Sequence, residues 1–299
     1  MSLSKEVILN TGYEIPLTPS THGQLGFGTW QSAPGEVGNA VYEASRPDIG
    51  ICMRLPIGMK RAFHDIPGLK REDIFIVKSP PYGYILTAYS KHRPEAVEPA
   101  LDVCLAELGL GYLGVGEREL DTELPKSKVR SVGVSNHTIK HLEAIIQGSG
   151  AIPAVTQFER HPRLQSEDHC KKRGIHTTAY SAFGNNMLGH PLQITHPTVK
   201  EVAQAVSRRV GKDMSGAQAI LAWSQVGGHS VIPKSVTPSR IRDNFNQVDL
   251  TQEEFDHVNT LGLDRRRFNI PMTYSPAWNI NLFGEREEEP AAHQVNLGL

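Results

Sequence analysis

The sequence predicts an α/β protein with the architecture of a (β/α)8 barrel of the TIM type. Short apolar runs of strand length alternate along the chain with segments in which apolar residues recur at helical spacing. Strands that alternate with helices form a parallel sheet, and eight such strands can close into a barrel. The eight predicted parallel strands are residues 24–29, 48–52, 74–77, 112–115, 131–134, 154–157, 175–179 and 229–232.

Helical spacing is clearest in two segments between these strands. Residues 93–108 and 197–210 both carry apolar side chains every three or four positions, as expected of helices that pack one face on a sheet. Thr251 and Glu254 have the spacing of a capping box, which predicts the start of a last helix, and Gly262 ends it. The helices therefore lie where the barrel needs them.

The chain shows no internal repeat and no interdomain linker. Residues 6–284 are therefore predicted to form one barrel domain. Within it, residues 268–284 have no clear period and are expected to be a packed loop. Residues 285–299 begin with a run of acidic residues. We predict that they form a mobile C-terminal tail, because chain ends that are not tied down are poorly ordered.

Composition excludes several classes of protein. Of 299 residues, 39% are hydrophobic and 21% are charged, which is typical of a globular protein. A net charge of -1 gives no reason to expect nucleic acid or a membrane surface as a partner. Cys52, Cys104 and Cys170 lack metal-ligand spacing, so no metal site is predicted and a reducing compartment is expected. The chain shows neither a signal-peptide core nor a transmembrane run, which predicts a cytoplasmic protein.

A glycine-rich motif at residues 109–114 has the spacing of a dinucleotide-binding fingerprint. That fingerprint requires a strand before it and a helix after it. Here the predicted helix comes before the glycines. The Rossmann interpretation is therefore rejected.

The stretch that follows the last predicted strand has the character of an anion site. Lys234, Ser235 and Thr237 form a cluster of donors, Arg240 lies on the first turn of the next predicted helix, and Asn244 follows one turn later. A helix N-terminus offers free N–H groups, and two cations suit a doubly charged phosphate. The alternative is an ordinary loop with two solvated basic residues.

At this point the sequence resembles the aldo-keto reductases, a family of NADPH-dependent (β/α)8 barrels. The resemblance is nearly continuous from residue 128 to about 284 and is broken before residue 128. The most specific segment is the one that contains the predicted anion site. The matching segments are residues 25–30 (LGFGTW), 93–102 (RPEAVEPALD), 128–136 (KVRSVGVSN), 154–162 (AVTQFERHP), 174–184 (GIHTTAYSAFG) and 228–244 (GHSVIPKSVTPSRIRDN).

The resemblance implies a complete site for NADP. Positions that match the family's contacts to the 2′-phosphate, to the adenosine end, to the nicotinamide and to the pyrophosphate are all present, each near the end of a predicted strand. The implied cofactor residues are Thr29, Trp30, Ser135, Asn136, Gln157, Tyr180, Ser181, Lys234, Ser235, Thr237, Arg240 and Asn244. In the family, Tyr180 matches the ring that stacks on the nicotinamide.

The catalytic half departs from the family pattern. The family protonates its substrate with a tyrosine whose pKa is lowered by a lysine cation. Asp48 and Lys78 are the candidates for the aspartate and the lysine, but Lys78 comes one residue early, and no tyrosine occurs between Tyr42 and Tyr82. The fourth strand lacks the family's histidine. The barrel is therefore expected to be incomplete or distorted around strands 2–4.

Three hypotheses remain open from the sequence. The first is an NADP-dependent oxidoreductase that interconverts a small carbonyl compound and an alcohol, with Tyr82, Tyr84 or Tyr89 as a replacement hydroxyl. The second is an NADP-binding pseudoenzyme without turnover. The third is a faulty gene translation, which would explain the missing blocks. The remaining candidates for walls of the substrate pocket are Phe183, Asn185 and Trp278.

Overall fold

The computed structural model describes most of the second half of the chain and parts of the first. All statements below concern those residues. The described residues are 7–15, 25–29, 32–45, 51–52, 56–71, 75–78, 99, 101–103, 105–106, 110–117, 127–165, 169–185 and 189–295.

A parallel sheet forms the centre of the fold, and a short antiparallel pair, β1 (Val7–Ile8) and β2 (Glu14–Ile15), precedes it. Seven parallel strands follow one another across the sheet in chain order. They are β3 (Ile51–Cys52), β4 (Phe75–Lys78), β5 (Leu113–Glu117), β6 (Val129–Ser135), β7 (Val155–Glu159), β8 (His176–Tyr180) and β9 (Ser230–Val231).

The first predicted strand lies beside the last one. Leu25 and Gly28 form parallel bridges with Val231 and Lys234. Residues 25–29 therefore flank β9, so that eight parallel segments follow the order of the chain, with the first next to the eighth. This neighbourhood is the one that a closed barrel requires.

Helices cover the sheet and use their apolar faces to do so. Val199, Val202 and Val206 of one helix are buried against Ile220 and Leu221 of the next. The helices are α1 (Pro34–Ala44), α2 (Pro56–Asp65), α3 (Ile139–Ser149), α4 (His169–Lys172), α5 (Pro197–Val210), α6 (Gly216–Gln225), α7 (Pro238–Phe245) and α8 (Gln252–Asn259).

Two sequence-based predictions about helices are confirmed. Leu101 and Leu105, in the segment predicted as an amphipathic helix, are helical and lie in the main core. The capping box also forms, because the Thr251 hydroxyl accepts from the Glu254 amide at 3.1 Å and the Glu254 carboxylate accepts from the Thr251 amide at 2.8 Å. A cap of this kind is worth about 1 kcal/mol.

The glycine-rich motif leads into a strand, and only its last two residues, Leu113 and Gly114, belong to β5. Gly114 and Gly116 belong to β5, and Gly116 pairs with both Lys78 of β4 and Val132 of β6.

The C-terminal residues differ from the expectation of a mobile tail. The carboxylate of Glu288 is fully buried and accepts hydrogen bonds from the amides of Leu282, Phe283 and Glu285 at 2.9 to 3.1 Å. Strand β10 (Ile280–Asn281) pairs in parallel with β11 (His293–Gln294). Residues 285–295 are thus tied to the preceding loop, because the acidic run caps backbone amides that have no other partner there.

Candidate cofactor and active site

Three predicted site residues come together where β6, β7 and β8 end. In the register of the sheet, Ser135 lies opposite Gln157, and Gln157 lies opposite Thr178, two residues before Tyr180. Because parallel strands end at the same edge, their terminal side chains share one face. The polar residues predicted from sequence therefore share one rim of the sheet.

Hydrogen bonds connect these residues directly. The Gln157 carbonyl accepts from the Asn136 amide at 2.8 Å and from the Ser135 hydroxyl at 3.1 Å. The Tyr180 hydroxyl donates to Asn136 Oδ1 at 2.6 Å. Four predicted residues thus form one bonded group of amides and hydroxyls with an aromatic ring at its edge.

Two residues of this rim have left-handed backbone conformations. Asn136 has φ of 61° and Ser181 has φ of 49°, and both directly follow strands. This region is uncommon for residues other than glycine, and asparagine tolerates it better than serine. Such conformations cost about 1 kcal/mol or more and cluster at functional sites. They turn the chain sharply where the strands end.

The predicted anion site lies at the neighbouring strands. Gly28 bridges Lys234, and the Gly28 amide donates to the Pro233 carbonyl at 2.9 Å. A Cβ atom at Gly28 would lie 2.8 Å from the Ile232 carbonyl oxygen, so only glycine permits this approach. Thr29 follows directly and is buried. Residues 25–29 are thereby placed against the strand that leads to Lys234.

The cations of this site are open to solvent. Lys234 and Arg240 are both exposed, and within the described part of the chain neither forms an ion pair. Arg242, two residues along the same helix, instead pairs with Glu43 at 3.3 Å. Uncompensated positive charge beside a helix N-terminus fits a phosphate dianion.

The start of α7 completes the anion site. The Ser235 hydroxyl accepts from the amide of Thr237 at 3.1 Å, and Thr237 is the N-cap residue of α7. The Thr237 side chain makes no capping bond of its own. Asn244 lies one turn beyond Arg240, near the end of the helix, and is buried. The Thr237 side chain therefore remains available to a ligand, whereas Asn244 packs inward.

Most of the predicted catalytic residues lie outside the part of the chain that the structure describes. Asp48 and Trp30 lie outside the described residues, as do Tyr82, Tyr84 and Tyr89. Lys78 ends β4, where its backbone lies opposite Gly116. The assignments of Asp48 and Lys78 therefore stay predictions.

The structure adds a buried carboxylate that sequence reasoning missed. Glu159 lies two residues beyond Gln157 on β7, so strand alternation places both side chains on the same face. Its carboxylate accepts from the amides of Phe268 and Asn269 at 2.8 and 2.9 Å and from His161 Nε2 at 2.8 Å. An acidic residue in a buried strand was the signal that could have revealed it.

Charge around Glu159 follows from these contacts. Burial raises the pKa of the Glu159 carboxyl, but the hydrogen bonds from His161 and from the two backbone amides outweigh that effect, so the pKa lies below its ordinary value. Burial also lowers the pKa of His161. A neutral His161 with its proton on Nε2 fits, because His161 Nδ1 is buried without a partner in the described structure.

The proposed pocket walls lie in different surroundings. Phe183 packs partly against the main core, and its carbonyl accepts from the Gln193 amide. Asn185 Nδ2 donates to Asn269 Oδ1 at 2.8 Å. Trp278 meets the ring of Tyr274 edge to face, with centroids 5.1 Å apart. Phe183 is thus mainly a packing residue, whereas Asn185 and Trp278 lie in or against the C-terminal segment.

The described residues contain neither a cluster of metal ligands nor a membrane-spanning helix. No group of three or more histidine, cysteine, aspartate or glutamate side chains there could hold a metal ion. In the same residues, no helix is both long and apolar enough to cross a membrane.

Comparisons with known proteins point to one family. The model of the "Aldo/keto reductase family" matches residues 92–262. The D/L-glyceraldehyde reductase of Hypocrea jecorina is 48% identical, and the alignment covers 100% of both chains. The D-galacturonate reductase of the same organism is 32% identical over 86% of this chain and 90% of its own length.

Solved structures confirm the (β/α)8 barrel. An aldose reductase from Giardia lamblia superposes with a TM-score of 0.71 at 27% identity and covers 87% of this chain and 98% of its own. A Bombyx mori aldo-keto reductase in complex with NADP gives 0.70 at 24% identity, covering 92% and 98%. The second comparison supports the fold alone.

The alignment also shows that residues are missing. It extends over 345 positions, whereas the chain has 299 residues, so about 46 positions of the alignment lie opposite gaps in this chain. That blocks are missing around strands 2–4 stays a prediction.

Proposed function

The chain belongs to the aldo/keto reductase family and is an oxidoreductase of carbonyl compounds, and on that premise we propose which residues hold its cofactor and which class of aldehyde it reduces. The proposed reaction is the NADP-dependent reduction of a small aldehyde or ketone to an alcohol, or the reverse. The observation that carries the cofactor assignment is the exposed position of Lys234 and Arg240 beside the N-terminus of α7, where neither forms an ion pair with any residue that the structure describes.

The cation pair favours NADP over NAD. The two dinucleotides differ by the 2′-phosphate, which carries close to two negative charges near neutral pH. Lys234 and Arg240 supply two positive charges, Ser235 and Thr237 supply hydroxyls, and Arg240 offers a planar group of donors that matches phosphate oxygens. An NAD-specific site would leave these charges without a counterpart. We therefore assign the adenosine end of NADP to this surface.

The rim of β6, β7 and β8 is proposed to hold the nicotinamide. A primary carboxamide has two donors and one acceptor oxygen, and Ser135, Asn136 and Gln157 offer matching groups. The Tyr180 ring adjoins them through the bond to Asn136. NADPH held by these residues would supply the hydride. The protein residues orient the ring so that one face meets the substrate.

The proton must come from a residue of this chain. We propose that Lys78 and Asp48 act together beside a hydroxyl from the segment that contains Tyr82, Tyr84 and Tyr89. An ammonium group lowers the pKa of a nearby phenol, which makes it an effective acid near neutral pH. Lys78→Met should then lower kcat while leaving the NADPH Kd within about twofold of the parent protein. A kcat equal to that of the parent protein would contradict this role for Lys78.

A short hydroxyaldehyde is the proposed substrate class. The relative at 48% identity is a D/L-glyceraldehyde reductase, and a second relative reduces D-galacturonate. Both names denote hydroxylated aldehydes. We also propose that the protein works in the cytoplasm, which is supported by the free, buried thiol of Cys170.

Two measurements test the proposal. NADPH fluorescence is titrated with the protein, and NADPH oxidation is followed with D-glyceraldehyde, L-glyceraldehyde, D-xylose and D-galacturonate. Binding with turnover supports the enzyme. Binding without turnover supports an NADP-binding protein that lacks the acid, an alternative favoured by the absence of any tyrosine between Tyr42 and Tyr82. No binding overturns both.

The missing positions call for a separate test. Sequencing the transcript shows whether these 299 residues are encoded intact. An intact messenger eliminates the hypothesis of a faulty gene translation. A messenger with additional coding segments would support it, and the kinetic tests would then be done on the longer protein.

A further inference from the structure

The C-terminal segment contacts two parts of the proposed site at once. Residues 266–269 run along the end of β7 and along the loop that follows β8. This loop is called the cofactor loop here and comprises residues 181–185, 189 and 190 of those that the structure describes. This loop begins with Ser181, which the resemblance implies as a cofactor residue beside the pyrophosphate. The segment thus lies between the strand that carries Gln157 and the loop that carries Ser181.

Glu159 fixes one side of this arrangement. Its carboxylate accepts from two successive backbone amides, those of Phe268 and Asn269, and is almost fully buried. The Arg267 guanidinium lies 3.9 Å away and balances part of the charge. Hydrogen bonds to a buried charged acceptor are stronger than those to a neutral one. The backbone at residue 269 is therefore held to β7.

Contacts on the other side connect the same residues to the cofactor loop. Asn185 Nδ2 donates to Asn269 Oδ1 at 2.8 Å. The Phe268 ring packs so closely on Gly184 that a Cβ there would lie 2.8 Å from the ring. Arg266 Nη1 lies 3.1 Å from His190 Nδ1. Three residues of the C-terminal segment therefore contact three positions of the loop.

Asn269 is the residue at which the two sets of contacts meet. Its amide bonds to Glu159 and its side chain bonds to Asn185, while the residue is almost fully buried. Within the described structure, Asn269 Nδ2 has no partner. The bond to Asn185 is thus the contact through which the Asn269 side chain acts on the loop.

We propose that Asn269 is a positioning residue that transmits the placement of the C-terminal segment, fixed by Glu159, to the cofactor loop through Asn185. The proposal rests on the proposed function, because it assumes that the loop contacts NADPH. The side chain of Asn269 then affects NADPH affinity without touching the cofactor. It also affects the KM for the aldehyde, because the same segment continues to Trp278.

A double-mutant cycle tests the coupling. Asn185→Ala, Asn269→Ala and the double variant are each titrated with NADPH by fluorescence. Loss of one hydrogen bond is expected to raise the Kd by about 3- to 10-fold in either single variant. The double variant is expected to have the same Kd as the single variant that binds NADPH less tightly, because the effects of two substitutions that remove one contact are not additive.

A matched control separates this role from general destabilisation. Asn281 lies in the same C-terminal segment, and its Oδ1 accepts from the Gly284 amide at 3.0 Å. Asn281→Ala removes one local hydrogen bond that does not involve the cofactor loop and should leave the Kd and KM unchanged. The aldehyde KM should rise in Asn269→Ala with kcat changed by less than about threefold, in keeping with a loss of binding rather than of chemistry.

The possible outcomes of the cycle separate the inference about Asn269 from the proposed function. If the parent protein binds NADPH, two results overturn the inference and leave the proposed function intact. One is that the Kd values of the variants equal that of the parent protein. The other is that the fold-changes in Kd of the two single variants multiply in the double variant. Failure of the parent protein to bind NADPH overturns the proposed function itself. If Asn269→Ala does not fold, Asn269→Ser and the half-buried Asn185→Ala still provide the cycle, and independence of those two would overturn the inference.

Discussion

The Tyr180 hydroxyl donates a hydrogen bond of 2.6 Å to Asn136 Oδ1. This bond spans β7 and joins the end of β8 to the turn after β6, where Asn136 has a left-handed conformation. It orients the aromatic ring and the amide with respect to each other before any ligand binds. An arrangement formed in advance lowers the ordering cost of binding.

Tyr180→Phe should therefore weaken NADPH binding moderately. The ring remains, but Asn136 loses the partner that orients its amide. We expect the Kd to rise by about 2- to 10-fold, the range for one hydrogen bond. Tyr180→Ala should have a larger effect, because the stacking ring is lost as well. Fluorescence titration checks this order, and equal Kd values for the two variants would refute it.

Replacing the two exposed cations should change cofactor preference. Lys234→Glu combined with Arg240→Ala removes two positive charges and adds one negative charge beside the proposed phosphate. NADPH binding should fall by more than about 100-fold, at about 1.5 to 3 kcal/mol for each charged contact, whereas NADH binding should change little. Paired titrations measure both constants.

Arg242→Ala is the matched control for that experiment. Arg242 lies on the same exposed helix but pairs with Glu43 at 3.3 Å, away from Lys234. Its removal should leave both constants within about twofold, since exposed ion pairs contribute little. Equal losses of NADPH and NADH affinity in the double variant would show that the phosphate assignment is incorrect.

Gly28→Ala should disrupt the contact between the first strand and the last. The new Cβ would lie 2.8 Å from the Ile232 carbonyl oxygen, which is backbone and has little freedom to move. We expect a loss of about 1 to 3 kcal/mol in stability and weaker NADPH binding. Urea unfolding and fluorescence titration measure these effects. Gly35→Ala, where a Cβ meets no atom within 4 Å, is the control.

Stability should fall between pH 7 and pH 5 because of buried imidazoles. Burial lowers the pKa of His176 to about 4, whereas its ordinary value is 6.5. Below pH 6.5 the unfolded chain binds a proton that the folded protein does not, so acid favours unfolding until the pH passes the folded pKa. At about 1.4 kcal/mol per pH unit, the loss from His176 by pH 5 is about 2 kcal/mol.

His176→Gln should flatten this pH dependence. Glutamine does not titrate, so the difference in unfolding free energy between pH 7 and pH 5 should shrink by about 2 kcal/mol. The variant should lose some stability at pH 7, where the bond between His176 Nε2 and Ser230 Oγ is lost. A parent-like slope in His176→Gln would contradict the prediction.

The sequence by itself determined the features that depend on neighbouring residues. The alternation of strands and helices, the capping box of Thr251 and Glu254, and the cluster of donors from Lys234 to Arg240 arise within a few positions of the chain. Their physical causes are periodic apolar burial, local hydrogen bonds and the free amides of a helix start. For these features, local chemistry was sufficient.

Only the tertiary structure decided which distant residues meet. Glu159 bonds to amides that lie more than one hundred residues further along the chain, and no local pattern names its partners. The buried carboxylate of Glu288, which accepts from the Phe283 amide, likewise differs from the expectation of a mobile tail. A buried carboxylate needs donors, and the folded chain decides which amides are close enough to donate. The link from β7 through Asn269 to Asn185 therefore became visible only once the fold had brought these segments together.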